Sequence, residues 1–255
     1  MSESDPITTS RGRLLAFRIV GWLLGLLAIP YPAFFAIVSI ASDDPGDISH
    51  RFHFLAIVAG MGLIGVFSIL WVTRPDRIGL FHALVSQAVA WLIGGLMGGD
   101  LITGLYVSGV IGLALLWILA PDRRALLRLP GRPSMPLLIF ALIGTIPAWI
   151  YAVSQAELQR GPVDAHVEFH HWSGIAVAAL SIAAAGIAAS LRGKGWQVVA
   201  TWTAIGAVLF GIAGLAFADL PGAPDAVGWS WIAVAAGAGF WLLARVEASR
   251  EPAAR

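Results

Sequence analysis

Three of the chain's six histidines fall within nine residues, Asp164-Ala-His-Val-Glu-Phe-His-His-Trp172, together with two carboxylates. A second stretch near the start, Asp43 to Phe54, carries the same ingredients: Asp43, Asp44, Asp47, His50, Arg51 and His53. Neutral imidazole is the commonest nitrogen ligand for Zn, Cu, Fe and Ni, and a nearby carboxylate can complete a shell or orient a ring from behind. His166 and His170 are four apart and His50 and His53 three apart, spacings that put each pair on one face of a helix. The chain has no cysteine, so a metal must be held by His, Asp, Glu, Met or backbone oxygen. The expected ligand set is His53, His166, His170 and His171, converging with Asp164 or Glu168 on a divalent metal or small ligand. The competing reading is histidine at the lipid headgroup level, bonded to phosphate or water.

The elements that must position these residues are set by composition. Of 255 residues, 58% are hydrophobic and 12% charged, against about 25% charged in a soluble domain. Lipid must therefore cover most of the surface. A net charge of +1 argues against nucleic acid as a partner, which calls for a strongly basic patch. The expected partner is the lipid bilayer. A membrane helix needs about 20 mainly apolar residues, and by that rule eight spans are expected: 14–41, 52–72, 78–97, 101–120, 135–156, 169–190, 197–218 and 228–244. The fold class is then an all-α membrane protein, with 1–13 before the first span, a basic linker over 121–134 and a polar tail over 245–255. The first span reads as a retained helix and not a cleaved signal peptide.

Lys and Arg in short loops set orientation. With both termini cytoplasmic, 14 of the 16 basic residues lie inside and only Arg51 and Arg160 outside. The expected location is a bacterial plasma membrane, with five histidines (all but His82) at the outer face. The two halves also match. Pro32-Ala-Phe-Phe-Ala-Ile-Val-Ser39 and Pro147-Ala-Trp-Ile-Tyr-Ala-Val-Ser154 share four of eight residues, Arg51-Phe-His-Phe54 aligns with Glu168-Phe-His-His171, and Asp100 with Asp219. These pairs predict two parallel four-helix repeats, 14–120 and 135–244, with His53 and His170 as counterparts. The seven tryptophans Trp22, Trp71, Trp149, Trp172, Trp196, Trp229 and Trp231 are expected mostly as an interfacial belt.

Two four-helix halves with histidines on spans two and six resemble the layout of the haem A synthase family. The resemblance implies haem between helices, but spans four and eight hold no histidine, so the four-ligand pattern is absent. A bis-histidine haem b between His53 and His170 or His171 is the form that remains. The Asp164–Trp172 stretch, with its Ala/Gly/Arg/Trp-rich surroundings, is also similar to multi-pass membrane proteins of high-GC bacteria. That likeness carries no activity with it. Nucleophile-elbow, phosphate-loop and His-Glu-x-x-His motifs are missing. Transport is the alternative function. Pro30/Pro32 and Pro147 interrupt corresponding helices, which points to a site at the repeat interface, with Tyr31, Pro32, Pro147 and Tyr151 beside it. A non-catalytic accessory role is the third. The orientation is directly measurable because the chain is cysteine-free: single cysteines at Ser49 and Pro162 should react with an impermeant thiol reagent added outside intact cells, and one at Ala125 should not. The reverse pattern moves the histidines to the cytoplasm.

Overall fold

The structure, a computed structural model, describes residues 10–99, 104–127, 132–224 and 227–250. Twelve helices are found among them: α1 (Arg11–Ala28), α2 (Pro30–Ala41), α3 (Pro45–Ser49), α4 (Arg51–Thr73), α5 (Ile78–Gly98), α6 (Gly104–Leu119), α7 (Arg123–Leu126), α8 (Met135–Gln159), α9 (Ala165–Glu168), α10 (His171–Ser190), α11 (Trp196–Ala216) and α12 (Val227–Ser249). An all-helical result follows from the composition, because backbone N–H and C=O groups in hydrocarbon must find partners within their own segment.

Among the described residues seven segments are long and apolar enough to cross a membrane, with α1 and α2 counted as one. The expected fourth span is shorter. Its helix, α6, has 16 residues, about 24 Å at 1.5 Å per residue, against a hydrocarbon core of about 30 Å. The first part of that span, 101–103, lies outside the described residues, as do Asp100 and Asp225. The tail expected over 245–255 begins as helix, since α12 continues to Ser249.

The two proline signals act differently. Pro30 stops the first span at Ile29, and the chain restarts as α2 with Pro30 at its first position, where a missing N–H costs nothing. Pro147 sits inside α8, which continues through it.

α4 and α10 are the most buried of the spanning helices, and they cross at very close range. A Cβ added to Gly60 would lie 2.3 Å from the Ala178 Cα. Small residues at such crossings let backbones pack in lipid. The flanking helices use the same device: Gly94 and Gly98 of α5 press on Val177 and Ser173 of α10, and Gly206 of α11 on the Ala59 carbonyl of α4. α1 and α2 pack outside α4, α8 outside α10, α6 against α1 and α5, and α12 against α11. Buried amides tie the layers: Gln87 Nε2 donates to the Ser181 carbonyl at 2.8 Å, and Gln159 accepts from the Ser173 N–H at 3.2 Å.

The two ends of the bundle differ in charge. At one end Arg13 donates to the Leu119 and Ala120 carbonyls at 3.2 and 2.6 Å, and Lys194 pairs with Asp76 at 2.7 Å. That pairing, above all the Lys194 ammonium's hydrogen bond, holds the exposed Asp76 carboxyl below its usual range. At the other end Arg51 is spent on the last turn of α2, donating to the Ser39 and Ser42 carbonyls at 2.9 and 2.8 Å, the favoured place for a cation. The α4–α10 contact is open to test. Gly60→Ala should cost about 1–3 kcal/mol by overpacking and lower the thermal unfolding midpoint in detergent. Gly62→Ala, where the new Cβ meets nothing within 4 Å, should leave it unchanged or raise it. Equal midpoints would mean that the crossing is not tight.

Candidate metal centre

The histidines collect where the N-terminal ends of α4 and α10 meet. Asp44 caps α3, its Oδ1 accepting from the Gly46 N–H at 2.8 Å, and this single turn leads directly into His50. His53 follows one turn into α4 and is fully buried. On the other side Asp164 caps α9, accepting from the Val167 N–H at 2.9 Å, which places His166. The chain then reverses at His170, whose φ is 57°, a left-handed conformation that histidine tolerates better than most residues. α10 starts only at His171.

That reversal corrects the expected helix face. His166 and His170 are not on one continuous helix, because α9 ends at Glu168 and the αL residue redirects the chain. His171 is carried inward beside His166, while the backbone of His170 makes the turn, its N–H donating to Val167 and its carbonyl accepting from Gly174. Glu168 is exposed. His50, absent from the expected ligand set, belongs to the cluster: its ring centroid lies 4.8 Å from His166, 4.7 Å from His171 and 5.8 Å from His53. The His53–His166 separation is 4.9 Å. The signal for His50 was its three-residue spacing from His53.

Trp172 was expected at the interface and is instead buried under the cluster, stacked on His166 at 4.9 Å and edge-on to His53 at 4.8 Å. Trp71 and Trp196 are buried as well, whereas Trp22, Trp149, Trp229 and Trp231 are exposed as a belt requires. Gly222, at φ 77°, closes the floor. A Cβ there would meet the Trp172 ring at 2.5 Å and His53 Nε2 at 3.1 Å.

The hydrogen bonds fix the ring tautomers. His53 Nε2 lies 2.8 Å from the Pro221 carbonyl and His50 Nδ1 2.5 Å from the Gly46 carbonyl. His166 Nδ1 lies 3.3 Å from Asp164 Oδ2. A carbonyl or carboxylate only accepts, so each of these nitrogens carries the proton. The opposite nitrogens, His53 Nδ1, His50 Nε2 and His166 Nε2, are thereby bare lone pairs. All three, and His171 Nδ1, are buried without a hydrogen-bond partner. Asp164 is itself steadied, its carboxyl held below the usual range first by the Val167 N–H and then by the His166 ring.

Ligand nitrogens of His50, His53 and His171 lie within 4.8 Å of one another. Two nitrogens on one Zn²⁺, each at about 2.0–2.1 Å, are at most about 4.2 Å apart, so the triad closes on an ion with shifts of roughly an ångström or less. A haem does not fit. His53 and His171 are 5.6 Å apart by ring centroid, and the rings of His50, His166 and Trp172 pack around them where a macrocycle would have to lie.

The residues of the transport reading separate. Pro147 and Tyr151 line a cleft in the second half. Tyr31 and Pro32 do not; Tyr31 is exposed on α2 and stacks edge-on against Phe35. No protein-family model matches this chain, and no curated protein or solved structure is significantly similar to it.

A buried polar nitrogen without a hydrogen-bond partner costs about 1–3 kcal/mol. His171→Phe, which removes one at nearly constant shape, should therefore unfold in chelator at the same temperature as the parent or higher. A drop of several degrees would show that the ring serves packing alone.

Proposed function

We propose that this protein binds a divalent transition-metal ion at the outer face of a bacterial plasma membrane, through His50 Nε2, His53 Nδ1 and a ring nitrogen of His171, with His166 as fourth ligand. The carrying observation is the pairing of bare and anchored nitrogens. Three rings are held by a carbonyl or carboxylate on one nitrogen and present an unpartnered, buried nitrogen on the other. Metal-ligating histidines are oriented in this way from behind. Hydrophobic packing alone gives no reason to bury three such lone pairs together with the unpartnered His171 Nδ1. The Asp164–His166 pair has the form of a carboxylate–histidine–metal triad, and Asp164 lies on the more exposed side of the cluster, where an ion from the aqueous phase would arrive.

The outer location rests on the basic residues, 14 of which the eight-span reading of the sequence assigns to the side opposite the cluster. The two-repeat reading gains support from packing. Exchanging α4 with α10, α5 with α11 and α1–α2 with α8 turns the contacts of α4 with α1–α2, α5 and α11 into those of α10 with α8, α11 and α5, while the extensive α11–α12 packing has only a weak counterpart in α5–α6. Gly60 meets Ala178 and His53 meets His171 at one common sequence offset. His171, not His170, is then the counterpart of His53, and the site lies on the pseudo-axis between the halves.

Elemental analysis of zinc-loaded, desalted protein tests the proposal. The parent should retain about one ion per chain, and His50→Ala, His53→Ala and His171→Ala should lose it. His82→Ala should keep it, since His82 bonds to Leu126 at the other end of the bundle. Asp164→Asn should weaken affinity roughly 10- to 100-fold, as loss of an orienting partner does. Because only neutral imidazole binds, affinity should fall on acidification. Equal, near-zero metal in parent and variants would sink the reading.

A further inference from the structure

A cleft of about 500 Å³ lies between α8, α10, α11 and α12, within the range of about 300–1,000 Å³ typical of ligand sites. The corresponding space between α1, α4, α5 and α6 holds only about 10 Å³, with Trp91 and leucines filling it. The second half is therefore open where the first is packed.

The shape and lining restrict the occupant. The cleft follows α8 from Phe140 to Ser154, about 21 Å at 1.5 Å per residue, or some two-thirds of a hydrocarbon core about 30 Å thick. Its hydroxyls are committed elsewhere. Thr203 donates to Val199 and Ser154 to Tyr151, each at 2.8 Å, and the Tyr151 hydroxyl donates to the Gly222 carbonyl at 2.5 Å. The remaining side-chain donor of the lining, the Trp229 indole N–H, lies at the end bounded by Ser154 and Pro224, so the length of the cleft is left to apolar contact. Ile143 and Ile150 of α8 and Ile232 of α12 line the cleft and are also exposed, at 62, 57 and 48%. The mouth thus opens sideways between α8 and α12, at bilayer depth. A dry apolar space of this size does not take up water, and left empty it loses the dispersion contacts of its walls.

We infer that this cleft holds one acyl chain of a bilayer phospholipid, its methyl end at Phe140 and Phe240 and its headgroup at the level of the histidine cluster. The direction follows from the two ends. Phe140 and Phe240 meet with ring centroids 6.0 Å apart and close one end. The other is bounded by Ser154, Pro224 and Trp229, next to the loop whose Pro221 carbonyl holds His53. The inference stands whether or not the histidines bind metal.

The test uses the full chain in phospholipid nanodiscs doped with phosphatidylglycerol carrying a mid-chain diazirine, followed by irradiation and peptide mass spectrometry. Cross-links should concentrate on 143–151 and 232–240, several-fold above the exposed Ile37 region of α2. Gly144→Phe, at a position where an added Cβ meets nothing within 4 Å, and Ala236→Phe on the facing helix should each reduce them to the α2 level while leaving the thermal midpoint and metal content unchanged. Labelling spread evenly over all lipid-facing helices, or unchanged in a folded plugged variant, overturns the inference. Labelling by an isoprenoid diazirine but not by the acyl probe overturns it as well. Loss of metal binding without loss of cross-links would count against the histidine site and leave this inference intact.

Discussion

The close crossing of α4 and α10 is the constraint from which the rest of the bundle follows. In lipid there is little hydrophobic gain in bringing two apolar helices together, so association depends on van der Waals contact and on backbones that can approach closely. Gly60 against Ala178 supplies that approach. Once these two helices are fixed, α5 and α11 have only the grooves on either side to occupy, and Gly94, Gly98 and Gly206 face the central pair. The crossing also decides which chain ends meet. It brings the start of α4 and the start of α10 to the same end of the molecule, and with them the residues that precede each helix.

The membrane class was legible because composition and span length are averages over many residues, and the break at Pro30 was legible because proline acts locally, whereas Pro147, read as the same signal, is carried inside α8. What the sequence concealed depended on single backbone angles. His166 and His170 read as one helix face, and only the left-handed conformation of His170 breaks that face and leaves His171, also expected as a ligand, as the ring that packs beside His50 and His53. His50 was visible as a spacing partner of His53, but its role depends on the one-turn helix α3, too short for any periodic signal. Trp172 followed a rule that is correct for most exposed tryptophans, and was misplaced because the end of a span can also be the centre of a cluster. Arg51, one of the two cations that the expected topology leaves outside, is held at the end of α2 by the Ser39 and Ser42 carbonyls.

The two halves of the chain fill their interiors differently. Trp91 and its leucine neighbours occupy the interior of the first half. In the second, alanine and glycine along α8, α10, α11 and α12 leave that volume open. The histidine end, by contrast, draws on both halves, since His50 and His53 come from the first and His166 and His171 from the second. A sequence optimised only for stability would place phenylalanine where buried rings lack donors. Departures from local rules concentrated at one place are what a functional site produces.

The segment Leu220–Ala223 joins α11 to α12, yet its two neighbouring carbonyls are held by side chains from elsewhere: Pro221 by His53 of α4 and Gly222 by Tyr151 of α8. It acts as a latch across the bundle. Neither α4 nor α8 can fray at this end without releasing one of its anchors, and movement of α12 pulls on both. Local opening of a protein proceeds in cooperative units, and here the latch makes one unit of three helix ends that are distant in sequence. The histidine end should therefore breathe as a whole, on a slower clock than its loop-rich surroundings suggest.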